Sequence, residues 1–192
     1  AELDEILARD DLQNSQKGRL QVVPAAMLLA TGNEVGARAQ VEEVLEADPT
    51  QTDALRMQAS WLITEDQADE AISALRTVLD LRPDDAQAMT LMAQAHSRNG
   101  NHELAREFLG LAVEASDSAP AETMRYVDSL IENERFLAAE ELLITALRRS
   151  PDHLGLLNSI GRLYIRMEDW SRAEQVEIRL RELGGVEQDS LA

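Results

Sequence analysis

The chain has 192 residues, of which 44% are apolar and only 3% aromatic, so its core must be built from aliphatic side chains and alanine. Cysteine is absent, which excludes disulfides, thiolate metal sites and cysteine nucleophiles from this sequence. The net charge of −18, with no basic run, argues against binding to nucleic acid, and no apolar stretch is long enough to insert into a membrane.

The N-terminal segment is a near copy of a later segment. Residues 3–11 read L-D-E-I-L-A-R-D-D, and residues 41–49 read V-E-E-V-L-E-A-D-P. Arrays of helical repeats need polar caps at their ends. Residues 1–17 are therefore interpreted either as the second helix of a partial preceding repeat or as a capping helix.

From residue 18 onward the sequence repeats with a period of 34 residues. Alanine recurs at this spacing at Ala37, Ala71, Ala105, Ala139 and Ala173. Pro49, Pro83 and Pro151 follow the same spacing, with Asp117 where a further proline is missing. This period places five repeats, at residues 18–51, 52–85, 86–119, 120–153 and 154–187.

Each repeat has the pattern of a helical hairpin. Small residues such as Ala59 and Ala71 allow two antiparallel helices to approach closely. Leu75 follows one turn later on the same face, and Pro83 ends the second helix. In the fifth repeat Glu177 replaces the aliphatic residue, so we expect this divergent hairpin to pack less well.

The last residues also resemble an earlier segment. Residues 188–192 read Q-D-S-L-A, and residues 52–56 read T-D-A-L-R at the start of a repeat. We interpret residues 188–192 as a tail or as the start of a further repeat, in which case the chain is a segment of a longer array.

The pattern of Ala59, Ala71, Leu75 and Pro83 resembles the tetratricopeptide repeat family, common in bacterial arrays. The resemblance implies an all-α fold, a right-handed α-solenoid of antiparallel helix-turn-helix hairpins. It also implies that Trp170 is the aromatic residue that packs within its hairpin. For Trp61 two interpretations stay open: partial exposure on the outer side, or filling of a gap there.

No catalytic site is predicted. The sequence contains no phosphate-binding loop, dinucleotide fingerprint, zinc-protease motif or serine-nucleophile motif. His96 falls at a core-edge position, His102 at an aromatic position and His153 in a turn between repeats, so no metal site and no cofactor are expected. We interpret the protein as a non-enzyme.

In the tetratricopeptide family, variable positions of each first helix line a concave groove that binds partners. Transferred by repeat position, the resemblance implies a binding groove formed by Arg56, Met57, Ile63, Gln94, Arg98, Met124, Arg125, Asp128, Ile131, Asn158, Arg162, Ile165 and Arg166. The isoleucines suggest an apolar stripe. The arginines favour an acidic or carboxylate-bearing peptide. The alternative is that these arginines pair with Asp128 and other acids and hold the repeats together.

The predicted function is a non-catalytic scaffold or adaptor that binds a peptide or partner domain in this groove. Two alternatives stay open: a self-assembling homo-oligomer, and an accessory segment of a larger enzyme or of an envelope or secretion component. We expect a soluble chain, either cytoplasmic or periplasmic. The sequence does not identify the partner.

Overall fold

The computed structural model describes the backbone of residues 22–189 and the side chains of residues 22–184. This part of the chain contains ten α-helices and no strand. The helices form five successive pairs, and we call the first member of each pair helix A and the second helix B. The pairs are α1 (Val23–Ala30) with α2 (Glu34–Ala47), α3 (Thr52–Thr64) with α4 (Ala68–Leu81), α5 (Ala86–Arg98) with α6 (His102–Ala115), α7 (Pro120–Glu132) with α8 (Phe136–Arg149), and α9 (Leu154–Arg166) with α10 (Trp170–Asp189).

The chain divides into two compact units, residues 1–105 and residues 106–192. The N-terminal segment 1–17, predicted as a partial repeat or a cap, lies outside the described residues. Helix α10 continues to Asp189, past the predicted end of the fifth repeat, and residues 190–192 lie outside the described part.

Alanine and aliphatic residues form the core of the first unit. Ala37, Ala59 and Ala71 are completely buried, which allows the helices of each pair to pack closely. Leu75 and Val78 follow on the buried face of α4. Helix α5 then packs against both α3 and α4, so this helix A is held by the preceding pair.

The core of the second unit repeats this arrangement. Helix α9 packs against both α7 and α8. Val127 and Leu130 of α7, Leu143 of α8, and Leu156 and Leu163 of α9 are buried in one cluster. Deeply buried aliphatic side chains of this kind each contribute about 1.5–3 kcal/mol by leaving water, which makes helix packing the main source of stability here.

The turn between helix A and helix B has the same backbone conformation in every pair. One residue in each turn has a positive φ, and these residues are spaced by 34: Gly32, Asp66, Gly100, Glu134 and Glu168. In each turn the next N–H donates to a carbonyl five residues earlier, as Arg135 does to Leu130 at 2.8 Å. This is the hydrogen bond of a Schellman motif, which ends helix A and reverses the chain.

The junctions between repeats explain the missing proline. Asp117 has φ 56° and Ser118 has φ 61°, whereas the proline ring restricts φ to about −65°. The Ser118 N–H donates to the Val113 carbonyl at 2.8 Å and closes the end of α6. A proline at position 117 is incompatible with this junction, and Pro120 instead begins α7.

Candidate binding surfaces

The helix A residues of the first unit enclose a shallow depression of about 280 Å³. Two of its lining residues, Arg56 and Met57, belong to the predicted groove, and the others are Val22, Asp53, Ser60, Gln87 and Leu91. Arg56 and Met57 of the predicted groove therefore lie beside the same surface depression. Met57 is half-buried and packs against the core cluster of the first two repeats.

Arg56 is held by a network of charged residues inside the first unit. Its guanidinium forms an ion pair with Asp53 and a second one with Asp85 at 3.1 Å. It also donates to the Gln87 side-chain carbonyl at 2.5 Å. Arg82 joins the same network through Asp85 at 3.0 Å. The carboxylates of Asp53 and Asp85 therefore neutralise the guanidinium groups of Arg56 and Arg82. The terminal nitrogens of Arg56 already bond to side chains of the protein itself.

Asp85 is the centre of this network, and its side chain is only 2% exposed. One of its carboxylate oxygens also accepts from the Ala88 N–H at 2.9 Å and caps the N-terminus of α5. A single carboxylate thus begins one helix and joins two arginines of the preceding repeat. This favours the alternative in which Arg56 holds repeats together.

The other predicted groove residues of the first unit differ in accessibility. Ile63 is only 5% exposed and belongs to the core, so its prediction as part of a binding surface is wrong. The physical reason is that α4 and α5 both pack against α3, which carries it. Gln94 is exposed, and Arg98 is exposed but paired with Asp66 at 2.8 Å.

A second depression, of about 320 Å³, lies in the second unit between α7 and α9. We call it the arginine groove, and its lining residues are Asp128, Ile131, Arg162, Ile165 and Arg166. All five belong to the predicted groove. Ile165 is 51% exposed, and Ile131 is half-buried, so aliphatic surface is accessible in this groove.

The charges in the arginine groove are loosely paired. Arg162 approaches Asp128 only to 3.8 Å, and both side chains are largely exposed. Within the described part of the chain, Arg166 and Arg125 have no carboxylate partner. This surface therefore offers positive charge and hydrogen-bond donors, in contrast to the neutralised network around Arg56.

Two further predicted residues in the second unit have local roles. Asn158 is exposed and donates to the Leu154 carbonyl at 2.8 Å, within its own helix. Met124 is half-buried, and its sulfur would come within 2.9 Å of a β-carbon added at Gly155. Gly155 thus lets the start of α9 lie close to α7.

A larger depression, of about 550 Å³, lies between α9 and α10. We call it the terminal groove, and its principal lining residues are Gly161, Ile165, Trp170, Glu174, Val176 and Glu177. Trp170 is 65% exposed, so the prediction that it packs within its hairpin is wrong. In the described structure no helix covers this side of α10, whereas α9 packs on the equivalent side of α8.

Sequence reasoning did not place Trp170 and Glu174 beside a surface depression. Both occupy positions that are partly buried one repeat earlier, as Phe136 and Glu140. The sequence did contain an indication of this open face. Glu177 stands where the preceding repeat has Leu143, 34 residues earlier. A core position that changes to glutamate indicates that this face meets water or a polar partner.

Trp61 lies on a different surface and has a structural partner. It is half-buried, and the Arg38 guanidinium lies 4.9 Å from the centre of its ring. Arg38 is also paired with Glu34 at 2.8 Å and with Glu65 at 2.6 Å. These hydrogen bonds, Glu34 first, raise the pKa of Arg38. Trp61 is therefore partly exposed and lies under a cation, and it also packs against the core cluster of the first two repeats.

The three histidines occupy different structural positions. His96 is buried in α5, His102 is exposed at the start of α6, and the His153 ring nitrogen Nδ1 accepts from the Leu156 N–H at 3.2 Å as the cap of α9. Among the described residues no group of three histidine, aspartate or glutamate side chains could hold a metal ion. No helix in that part of the chain is long and apolar enough to cross a membrane.

Comparison with known proteins identifies the repeat. Two family models, both for the tetratricopeptide repeat, match residues 62–122 and 127–184. No curated protein matches the sequence.

Solved structures with the same fold are distant in sequence. PilW, described as a widely conserved type IV pilus biogenesis factor, is 16% identical, with a TM-score of 0.71 over 88% of this chain and 79% of its own. MamA from Desulfovibrio magneticus RS-1 is 17% identical, with a TM-score of 0.69 over 91% of this chain and 97% of its own.

YrrB, described as a protein of this repeat class with an unusual peptide-binding site, is 14% identical, with a TM-score of 0.62 over 95% of this chain and 92% of its own. At these identities the similarity shows the fold, an all-α solenoid of helical hairpins.

Proposed function

Because the chain belongs to the tetratricopeptide repeat family, whose members are typically non-catalytic scaffolds for protein–protein interaction, we propose that it binds a carboxylate-bearing peptide in the arginine groove of its second unit. The observation that carries this proposal is the combination of exposed aliphatic surface and loosely paired arginines in one depression.

The apolar part of the arginine groove supplies the contact area. Ile131 and Ile165 lie one repeat apart, and Ile165 is half exposed to water. Covering such a side chain gains about 25 cal/mol for each Å² of apolar surface removed from water. A leucine, isoleucine or valine side chain of a bound peptide fits this chemistry.

The charged part of the arginine groove supplies selectivity. Arg162 and Arg166 border the same depression as the isoleucines, and Arg125 is exposed on α7. Guanidinium groups bind carboxylates through paired, charge-assisted hydrogen bonds. A peptide in which an acidic residue lies next to an aliphatic one can satisfy both parts of the groove.

The depression of the first unit is a poorer site for a carboxylate than the arginine groove. It holds Arg56, but Asp53 and Asp85 already neutralise that guanidinium. An acidic peptide gains little there, because it must compete with two carboxylates of the protein itself. We therefore assign carboxylate recognition to the second unit. The peptide-binding site described for YrrB is a precedent for peptide binding by this fold.

Selection of peptides from a random displayed library against the whole chain tests the proposal. The variant carries R162E and R166E. The matched control carries R135E and R148E, which change the net charge equally at two exposed arginines outside the groove.

We expect the selected peptides to be rich in Asp or Glu beside aliphatic residues. They should bind the groove variant at least about tenfold more weakly, because one lost charge-assisted hydrogen bond is worth about 1.5–3 kcal/mol. The control should bind as the parent does. Peptides without acidic residues, or equal binding to all three proteins, would refute the proposal.

A further inference from the structure

The arginine groove has two sides of opposite charge. On α9, Arg162 and Arg166 line one side, four residues apart and therefore on one face of the helix. On α7, Asp128 lines the other side, and Glu132 follows it one turn later. The groove therefore presents carboxylates along one helix and guanidinium groups along the other.

The opposite charges of the two sides are only loosely paired with each other. Arg162 and Asp128 are 3.8 Å apart, with 67% and 59% of their side chains exposed, and an exposed ion pair of this kind contributes little free energy. Glu132 and Arg166 occupy equivalent positions of consecutive repeats, but neither has an ion pair among the described residues. Both sides therefore remain open to a ligand that brings charge.

The charges within each helix do not compensate one another either. Arg125 lies three residues before Asp128 and is exposed, yet the two form no ion pair in the described structure. Helix α10 shows the opposite case, because Arg181 pairs with Glu177 at 2.6 Å. On α7 and α9, in contrast, like charges of the groove lie one turn apart and repel each other. A counter-charge supplied to each side relieves both repulsions.

A peptide that is only acidic leaves one side of the groove unsatisfied. Its carboxylate can bind Arg162 and Arg166, but it then lies near the Asp128 carboxylate, which repels it and competes for Arg162. A basic side chain on the same peptide reverses this effect, because Asp128 then gains a cation of its own. The charge of Asp128 therefore distinguishes a peptide that carries both charges from one that carries acid alone.

We propose that the arginine groove selects an amphoteric peptide, in which an acidic and a basic residue flank an aliphatic one, and that Asp128 selects the basic group. The carboxylate of this peptide binds Arg162 and Arg166 on α9. Its aliphatic side chain covers Ile131 and Ile165, which line the same groove, one on each helix. Its cation binds Asp128 on α7. Because like charges placed opposite one another lower affinity, the two sides also determine the direction in which the peptide lies.

This inference rests on the proposed function and adds a specificity that carboxylate binding alone does not require. A purely structural role for Asp128 has a different consequence, because removing its carboxylate then affects every ligand alike. The two roles can be separated, since Asp128 is exposed while Val127 and Leu130 hold α7 in the core.

The test measures the affinity of defined peptides for the full chain by fluorescence anisotropy. Each peptide is capped, carries a dye and differs only at its centre. The acidic peptide contains Q-E-L-Q, and the amphoteric peptides contain Q-E-L-K or K-L-E-Q, so that both directions are sampled. A basic peptide with Q-Q-L-K measures general attraction to a chain whose net charge is −18.

Three proteins are compared with the parent. D128N removes the carboxylate of the groove. E141Q is its matched control, since it removes the same charge at an exposed glutamate of α8 outside the groove. The double variant R162E and R166E reports on carboxylate binding itself. Circular dichroism shows whether each variant remains helical.

We expect one amphoteric peptide to bind the parent about two- to fivefold more tightly than the acidic peptide does, the range for an exposed charge pair. The basic peptide should bind more weakly than either. D128N should weaken the amphoteric peptide and strengthen the acidic one, so that the preference disappears, whereas E141Q should behave as the parent does.

Three results would overturn this inference and leave the proposed function standing. They are equal binding of the acidic and amphoteric peptides to the parent, a loss in D128N that is the same for every peptide, and equal effects of D128N and E141Q. If no peptide binds, or if R162E with R166E changes no affinity, the proposed function fails and this inference fails with it.

Discussion

Replacing Asp85 by asparagine and by alanine separates its two structural roles. Asparagine is as good a helix cap as aspartate, so D85N keeps the hydrogen bond to the Ala88 N–H but removes the charge. D85A removes both. If the network around Asp85 holds the repeats of the first unit together, both variants lose stability, and D85A loses more.

The size of the loss in unfolding free energy depends on the partners that Arg56 and Arg82 keep when the Asp85 carboxylate is removed. Removing one member of a buried ion pair costs about 3–5 kcal/mol when the other charge is left without compensation. Arg56 keeps Asp53, and Arg82 keeps Asp53 at 3.5 Å and the Thr52 hydroxyl at 2.8 Å. The arginine side chains are also 17% and 32% exposed, so water compensates part of the loss. We expect about 1–2 kcal/mol for D85N, and about 1 kcal/mol more for D85A from the lost cap.

Urea unfolding followed by tryptophan fluorescence can measure these losses in the first structural unit, which contains Asp85. In a W170F background the remaining tryptophan is Trp61, which lies in the first unit together with Asp85. Asp84 is the neighbouring exposed acid and has no ion pair in the described structure, so D84N is the matched control. We expect D84N to unfold at the same urea concentration as the parent.

Two results would refute this reasoning. If D85N is as stable as the parent, the buried charge of Asp85 makes no net contribution to stability. If D85A and D85N are equally unstable, the cap on α5 contributes nothing. High salt should change the D85N loss only slightly, since the network is largely shielded from solvent ions.

Three further measurements probe other parts of the structure. E134G should stabilise the second unit by about 0.5–1 kcal/mol in thermal unfolding, because glycine adopts the positive φ of this turn without strain; an unchanged midpoint would contradict the strain argument. L143A should cost about 2–5 kcal/mol because its side chain is completely buried, whereas L137A, at an exposed position of the same helix, should cost less than about 0.5 kcal/mol. Burial, with a smaller effect of Arg76, lowers the pKa of His96 below 6.5. The unfolded chain therefore binds the proton more readily, and stability falls as the pH drops through about 6.5. H96L should lose less stability than the parent between pH 7.5 and 5.5, and an equal loss would exclude His96 as the cause.

The sequence predicted the hairpin fold because each repeat must satisfy the same packing. Ala59 and Ala71 lie at a close helix crossing, where only a small side chain fits, so composition and period together identified buried positions. Ile63 shows the limit of that reasoning. Its repeat position suggested a groove, but burial depends on how closely the neighbouring helices approach.

The ion pairs were harder to predict, since each arginine has several acids within reach. The structure reveals a regularity that the sequence search did not use. Arg98 pairs with Asp66, Arg149 with Asp117 and Arg172 with Glu140, and in each case the partners are 32 residues apart. Opposite charges just short of one period apart lie on adjacent repeats. A search for this spacing would have separated these paired arginines from Arg125, but it would also have matched Arg166 with Glu134, which form no ion pair in the described structure.

The identical turns between helix A and helix B also limit how the length of this chain can vary. Each added residue rotates an α-helix by about 100°. An insertion in a turn such as 133–135 would therefore carry Ala139 away from the helix crossing and bring a larger side chain to it. The junctions between repeats already differ from one another, with proline at position 83 and the left-handed residue Asp117 at the equivalent place. Related chains should therefore differ in length at the junctions and keep the turns within hairpins constant.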